Sequence, residues 1–226
     1  MGRVGKIAFV LLLLSGCFRA GAQVGEVSLS GQVGHNATLG VFSGAKLSAA
    51  YRTSSWFQVR GAFRGISFPE YTVDLRPGLY HDFPFGTVSA EILAQCSYLN
   101  TTFEVCAGVG FDFSMKWVWV SAGYYCRHLL PATGDKGLCE PVNVMYELGV
   151  SCLPDEDAWD LYVTLSNCRL AQLEKFYMPS LAVQCVFYPI SDLGVTASVE
   201  YGRAGVFNVS SDHHQGLMSL GVQYRW

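Results

Sequence analysis

Charged side chains are scarce in this 226-residue chain, and most of them stand at alternate positions between apolar neighbours. They make up 15% of the sequence, where an ordinary soluble domain carries about 25%. Lys46, Arg52, Arg60, Arg64 and Arg76 come early, and Glu91, Glu104, Asp112, Glu147, Asp160 and Glu200 come later. Brought face to face across water, two such sets polarise a passage and sort small solutes by charge. Brought together in a packed interior, they neutralise one another, as buried charges must. The sequence leaves both outcomes open.

Other groups that could do chemistry are weaker candidates. Of eight cysteines, Cys17 lies near the N-terminus and seven follow: Cys96, Cys106, Cys126, Cys139, Cys152, Cys168 and Cys185. There is no Cys-x-x-Cys, so no metal is expected, and nothing calls for a cofactor. Cys126 and Cys139 bracket one long connection and are the disulfide candidates. Cys96 and Cys185 share the parity of apolar residues and read as small apolar side chains. The run "VSSDHH" (Val209–His214) and His35 could meet at one rim and supply a nucleophile and base. A solvated polar loop explains them as well, so no catalytic residue is assigned and no enzyme is expected. A net charge of −3 without a basic tract excludes nucleic acid as a partner.

These groups need elements to hold them. The first stretch, "MGRVGKIAFVLLLLSGCFRAGAQ", has the charged start, short apolar run and small-residue site of an export signal. Cleavage after Ala22 makes residues 1–22 the leader and 23–226 one domain. "LSGC" (Leu14–Cys17) offers an alternative, lipidation at Cys17. After the leader, apolar residues recur at period two, the signature of strands with one apolar face. "GEVSLSGQV" sets Val27, Leu29 and Val33 against Glu26, Ser28 and Gln32, and "YTVDLR" sets Tyr71, Val73 and Leu75 against Thr72, Asp74 and Arg76. "KWVWVSAGYY" breaks the rule, with apolar residues on both faces. "RLAQLEKFYM" alone hints at helix, through Leu170, Leu173 and Tyr177. About twelve strands result; merging adjacent short ones gives eight or ten.

The final residues alternate to the end: Met218, Leu220, Val222, Tyr224 and Trp226 are apolar or aromatic, with Ser219, Gly221, Gln223 and Arg225 between. With this ending and this patterning, the chain resembles a small bacterial outer-membrane β-barrel, of the OmpX/OmpW or small monomeric oligosaccharide-porin kind. The resemblance covers the mature chain as architecture and no motif selects a subfamily. It implies a closed antiparallel transmembrane barrel in the bacterial outer membrane, an all-β fold with lipid against its apolar face. Leu220, Val222, Tyr224 and Trp226 then resemble the terminal signal read by the barrel-assembly machinery, with Trp in place of the usual Phe. The three longest connections, 127–140, 167–178 and 203–214, fall on the outward side, as such barrels arrange them. Trp117, Trp119, Phe111, Phe113, Tyr98, Tyr125 and Tyr224 lie where interfacial aromatic girdles would sit.

The eleven charged residues named first then face the lumen, basic on one wall and acidic on the other. The function implied is a narrow channel for small solutes, working as a monomer. The alternative is a plugged, structural or adhesin-like barrel whose outer loops bind an extracellular partner. A soluble secreted β-barrel or sandwich also alternates, but its apolar face would be its core. Burial therefore discriminates.

Overall fold

Alternation at period two extends the backbone, because successive side chains then fall on opposite faces and each face meets one kind of environment. The computed structural model of the chain describes residues 22–36, 40–53, 56–67, 70–99, 102–131, 134, 136–153, 158–169, 172–173, 179–203 and 214–226. None of these is helical. The strands are β1 (Ala22–Asn36), β2 (Gly40–Thr53), β3 (Phe57–Ile66), β4 (Glu70–Phe83), β5 (Gly86–Leu99), β6 (Thr102–Ser114) and β7 (Val118–Pro131). There follow β8 (Leu138–Ser151), β9 (Trp159–Ser166), β10 (Cys168–Arg169), β11 (Gln172–Leu173), β12 (Ser180–Ile190), β13 (Leu193–Arg203) and β14 (His214–Arg225).

Twelve of them close into one antiparallel barrel, each beside its chain neighbour, with β1 returning to β14. The other two, β10 and β11, form a small hairpin between β9 and β12, pairing Cys168 with Leu173 and Arg169 with Gln172. Of the segment that hints at helix, Arg169, Gln172 and Leu173 are extended, in keeping with its being too short to form a helix alone, and Leu170 and Tyr177 lie outside the described residues. The export signal lies outside the described residues, save Ala22, which already pairs with Thr53.

Burial decides between lipid and core. On β5, Ser89, Glu91, Gln95 and Ser97 are buried while Val88, Ile92 and Tyr98 are exposed. On β4, Thr72 and Asp74 are buried while Tyr71, Val73, Leu75 and Leu79 are exposed. A soluble barrel keeps its apolar face inside; here that face is outside, on strand after strand. Water does not tolerate so continuous an apolar surface, and lipid requires it. Aromatic pairs gather at the end that carries Ala22 and Trp226, the termini of the barrel: Phe83 stacks on Phe85, with ring centroids 5.4 Å apart, and Trp159 meets Phe187 at 4.5 Å. Trp119 and Tyr125 do not belong to such a girdle, because both turn inward. The Trp119 indole donates to Glu147 Oε1 at 2.7 Å, and Tyr125 is buried against Leu93, Cys106 and Met145. That inward cluster is why "KWVWVSAGYY" is apolar on both faces.

The connections at the end holding the termini are 54–56, 84–85, 115–117, 152–158 and 191–192. Those at the far end are 37–39, 67–69, 100–101, 132–137, 167–179 and 204–213. The two longest lie at the far end, as the pattern implies. The third departs from expectation: β7 and β8 reach further than their sequence suggests, which leaves 132–137 shorter than 152–158.

The seam between first and last strands runs in unbroken register from Glu26↔Arg225 to Asn36↔Gln215. Beyond it, Gly25 and Trp226 exchange two backbone hydrogen bonds, each 3.0 Å. The Trp226 ring lies over Gly25, where a Cβ would overlap it, and stacks on Tyr224 at 5.8 Å. The final residue thus closes the ring by both backbone and side chain. Deleting Trp226, or Trp226→Asp, is expected to block assembly, read as loss of the fast-migrating, SDS-resistant band that a closed barrel gives before boiling. Gly25→Val keeps the backbone rungs but displaces the ring, so the band should form and unfold at a lower temperature. Normal surface amounts of the Trp226 deletion would remove its role in closure.

Candidate functional site: a charged cavity inside the barrel

Even-numbered positions of β1 to β4 point inward by the pleat, which brings Glu26, Lys46, Arg52, Arg60, Arg64, Asp74 and Arg76 into the interior. Odd positions of β5 and β8 do the same for Glu91 and Glu147, and even positions of β6, β9 and β13 for Glu104, Asp112, Asp160 and Glu200. The division into one basic and one acidic wall does not hold as expected. Glu26, Glu70 and Asp74 stand on the side assigned to cations, and Arg52, Arg60, Arg64, Arg76 and Arg127 each meet a carboxylate.

Arg60 on β3 reaches Glu91 Oε2 on β5 at 2.5 Å and Asp112 Oδ2 on β6 at 2.7 Å. Gln58 donates to the other oxygen of Glu91 at 2.8 Å. Arg76 donates through Nε to Asp74 at 2.8 Å. Arg64 donates to Gln32 at 3.2 Å and lies 3.6 Å from Glu70. Arg52 donates to Gln58 at 3.3 Å, approaches Asp82 at 3.9 Å and covers the Tyr80 ring at 4.3 Å. Arg127 on β7 donates to Glu104 at 2.6 Å and lies 3.9 Å from Glu140. Asp160 lies close to the hydroxyls of Tyr162 and Tyr188, and the latter accepts from Gln223 at 2.9 Å. Lys46 is different: it has no ion pair or hydrogen bond to any described residue.

The interior is filled unevenly. Leu93, Cys106, Tyr125 and Met145 pack together on the β5–β8 side, and Phe42, Ile66 and Leu217 pack near the far end. Where inward residues are small, space opens. A cavity of about 530 Å³ is bounded by Ser48, Ala50, Ala62, Thr164, Ser166 and Ala182, with Lys46, Arg76, Glu147 and Glu200 at its charged edges. A second, of about 230 Å³, lies toward the termini, among Val24, Thr87, Ser89 and Ser114. Glu26 and Arg60 border both, so they mark the waist between them. Arg60 points into the barrel yet keeps 44% of its side chain exposed, whereas its partner Glu91 keeps 2%. Its free surface therefore faces open interior space rather than packed protein. Gly149 shapes the same cavity, because the Trp119 ring lies against it where a Cβ would overlap.

Sequence reading placed the eleven named residues on inward-facing positions but missed Glu26, Glu70, Asp74, Arg127 and Glu140. Glu26 and Asp74 were visible as polar partners of alternating strands. Glu70, Arg127 and Glu140 lie where strands run on into segments that composition marks as connections. The rim set fares differently: residues 209–213 lie outside the described residues, as does the His214 side chain.

This is the architecture of the outer-membrane β-barrels. No protein-family model matches the chain, and no curated protein matches it in sequence. Solved structures do match. The KdgM porin in complex with disordered oligogalacturonate superposes with a TM-score of 0.56 at 9% identity, covering 88% of this chain and 98% of that one. The NanC porin gives 0.55 at 12% identity, covering 87% and 98%. The translocator domain of the autotransporter NalP from Neisseria meningitidis gives 0.54 at 12% identity, covering 99% and 96%. At these identities the likeness is one of fold. Twelve strands also exceed the eight of the OmpX type.

Near the far end a register shift between Tyr125 and Arg127 brings Cys126 beside β8, and its Sγ stands 3.9 Å from that of Cys139. The two thiols touch without being bonded. Both lie toward the surface, and an oxidising compartment favours their pairing. Peptide mapping without reduction is expected to find Cys126 linked to Cys139; recovery of both as free thiols from oxidised protein would refute it.

Proposed function

We propose that the chain is a monomeric channel of the bacterial outer membrane, exported by its leader, inserted by the barrel-assembly machinery and passing small polar solutes. One observation carries the reading: a charged cavity inside an apolar-coated barrel, with a second cavity toward the termini that shares Glu26, Ala50 and Arg60 with it. In this reading the end with the termini faces the periplasm. The porin neighbours support the same assignment as an analogy of fold. Their solutes do not transfer. The oligogalacturonate held by KdgM is a polyanion, and Glu26, Glu147 and Glu200 on the larger cavity's wall would repel one here.

A non-conducting barrel that binds partners through its outer loops is the second reading. The paired charges and the Leu93–Tyr125–Met145 packing favour it, since both fill one side of the interior.

Planar-bilayer conductance of the refolded protein separates the two. The channel should conduct, and Arg60→Gln with Arg64→Gln should shift it toward cations, because two positive charges leave a passage where screening is weak. The pair should also cost about 1–3 kcal/mol of stability for each buried carboxylate left short of a partner. A wild type that inserts but never conducts, with variants that only lose stability, would reject the channel and leave the loop-binding barrel.

A further inference from the structure

In the ring of twelve, β2 and β8 are diametrically opposed, six strands apart in either direction. Lys46 on β2 and Glu147 on β8 border the same cavity of about 530 Å³. Lys46 makes no ion pair or hydrogen bond with a described residue, and Glu147 spends one oxygen on the Trp119 indole. Arg76 stands on the Lys46 side in an ion pair with Asp74, which leaves Lys46 as the cation on that wall without an ion pair to a described residue. Between the two poles the walls carry hydroxyls and an amide, Ser48, Thr164, Ser166, Ser180 and Gln184, together with Glu200 and, at the waist, Glu26 and Arg60. The cavity falls within the roughly 300–1,000 Å³ of small-molecule sites.

We infer that this cavity selects small zwitterions, molecules carrying a carboxylate and an ammonium a few bonds apart, such as free amino acids and very short peptides. A simple anion gains at Lys46 and loses at Glu147, and a simple cation does the reverse. A neutral polyol gains hydrogen bonds only. A zwitterion lying across the cavity gains at both ends, and its dipole follows the field already set between the walls. Trp119 fixes the acidic pole by holding Glu147, and Gly149 leaves room for the indole to do so.

The inference rests on the channel reading, and one experiment distinguishes the failure of each. Proteoliposomes containing the folded protein, checked by the heat-shifted gel band, are tested by swelling in L-glutamine and in arabitol, a neutral polyol of similar size. Glutamine is expected to enter faster by about threefold or more, the scale of one screened charge contact at each end. Lys46→Gln breaks no bond within the described protein, and Glu147→Gln keeps an acceptor for Trp119, so both should fold. In each, the ratio should fall to near one. Cys96→Ser, on the outward face, should leave it alone. A ratio near one in the wild type, or one unmoved by either cavity variant, overturns zwitterion selection while the channel stands. No entry of either solute through folded protein overturns both.

Discussion

Hydrocarbon offers no hydrogen bonds, so each backbone N–H and C=O that crosses it must be satisfied by a neighbouring strand. Eleven of the pairings in this barrel join consecutive barrel strands, ten of them directly and β9 to β12 across the β10–β11 hairpin. The twelfth joins β1 to β14 across the whole sequence. Without it, two edges would lie open in lipid. Much of the remaining design follows from that seam: an even strand count, both termini at one end, and alternation sustained to the last residue. Trp226 concentrates the requirement, with backbone rungs to Gly25 and an indole that seals the same point.

Closure fixes strand number, and strand number fixes width. A barrel of eight strands is filled by its own side chains, whereas wide porins leave water. At twelve, the inward residues decide. Tyr125, Met145 and Leu93 fill one side, and alanine, serine and threonine on β2, β9 and β12 leave the other open. Ion pairs crowd toward the filled side, where Glu91 and Glu104 are almost wholly enclosed. The cavity is thus off-centre, placed by side-chain size as much as by charge.

The fold was legible because one periodicity dominates. Val73 and Leu75 against Thr72 and Asp74 admit no reading but a strand, and the turn residues between runs mark where each strand stops. Pairing was less legible. Arg60 meets Glu91 and Asp112 because a long side chain spans two strands, a reach that depends on stagger and tilt rather than on position in the chain. Strand ends were least legible: Glu70 and Arg127 sit in segments that composition assigns to connections, yet neighbouring strands extend them into the ladder. Trp119 and Tyr125 were assigned to the wrong face for a related reason. An aromatic near a strand end looks the same in sequence whether it meets lipid or the lumen, and only the partner across the barrel, Glu147 or Met145, decides.

Fold alone does not choose among functions, since porins and an autotransporter's translocator superpose on this barrel about equally well. The interior chooses, and Lys46 is its most telling residue. An ammonium group in a dry protein interior demands a carboxylate or a set of acceptors, at a cost of several kcal/mol if it has neither. The arginines around it comply: Arg60, Arg64, Arg76 and Arg127 each hold a partner. Lys46 stands among them with no such partner in the described protein, at the edge of the larger cavity. Water is the solvent that makes this inexpensive, so the side of the barrel that holds Lys46 is the side that must be wet. The same group that calls for water on one wall presents a charge, offset only at longer range by Glu200 and Asp74, to whatever solute enters.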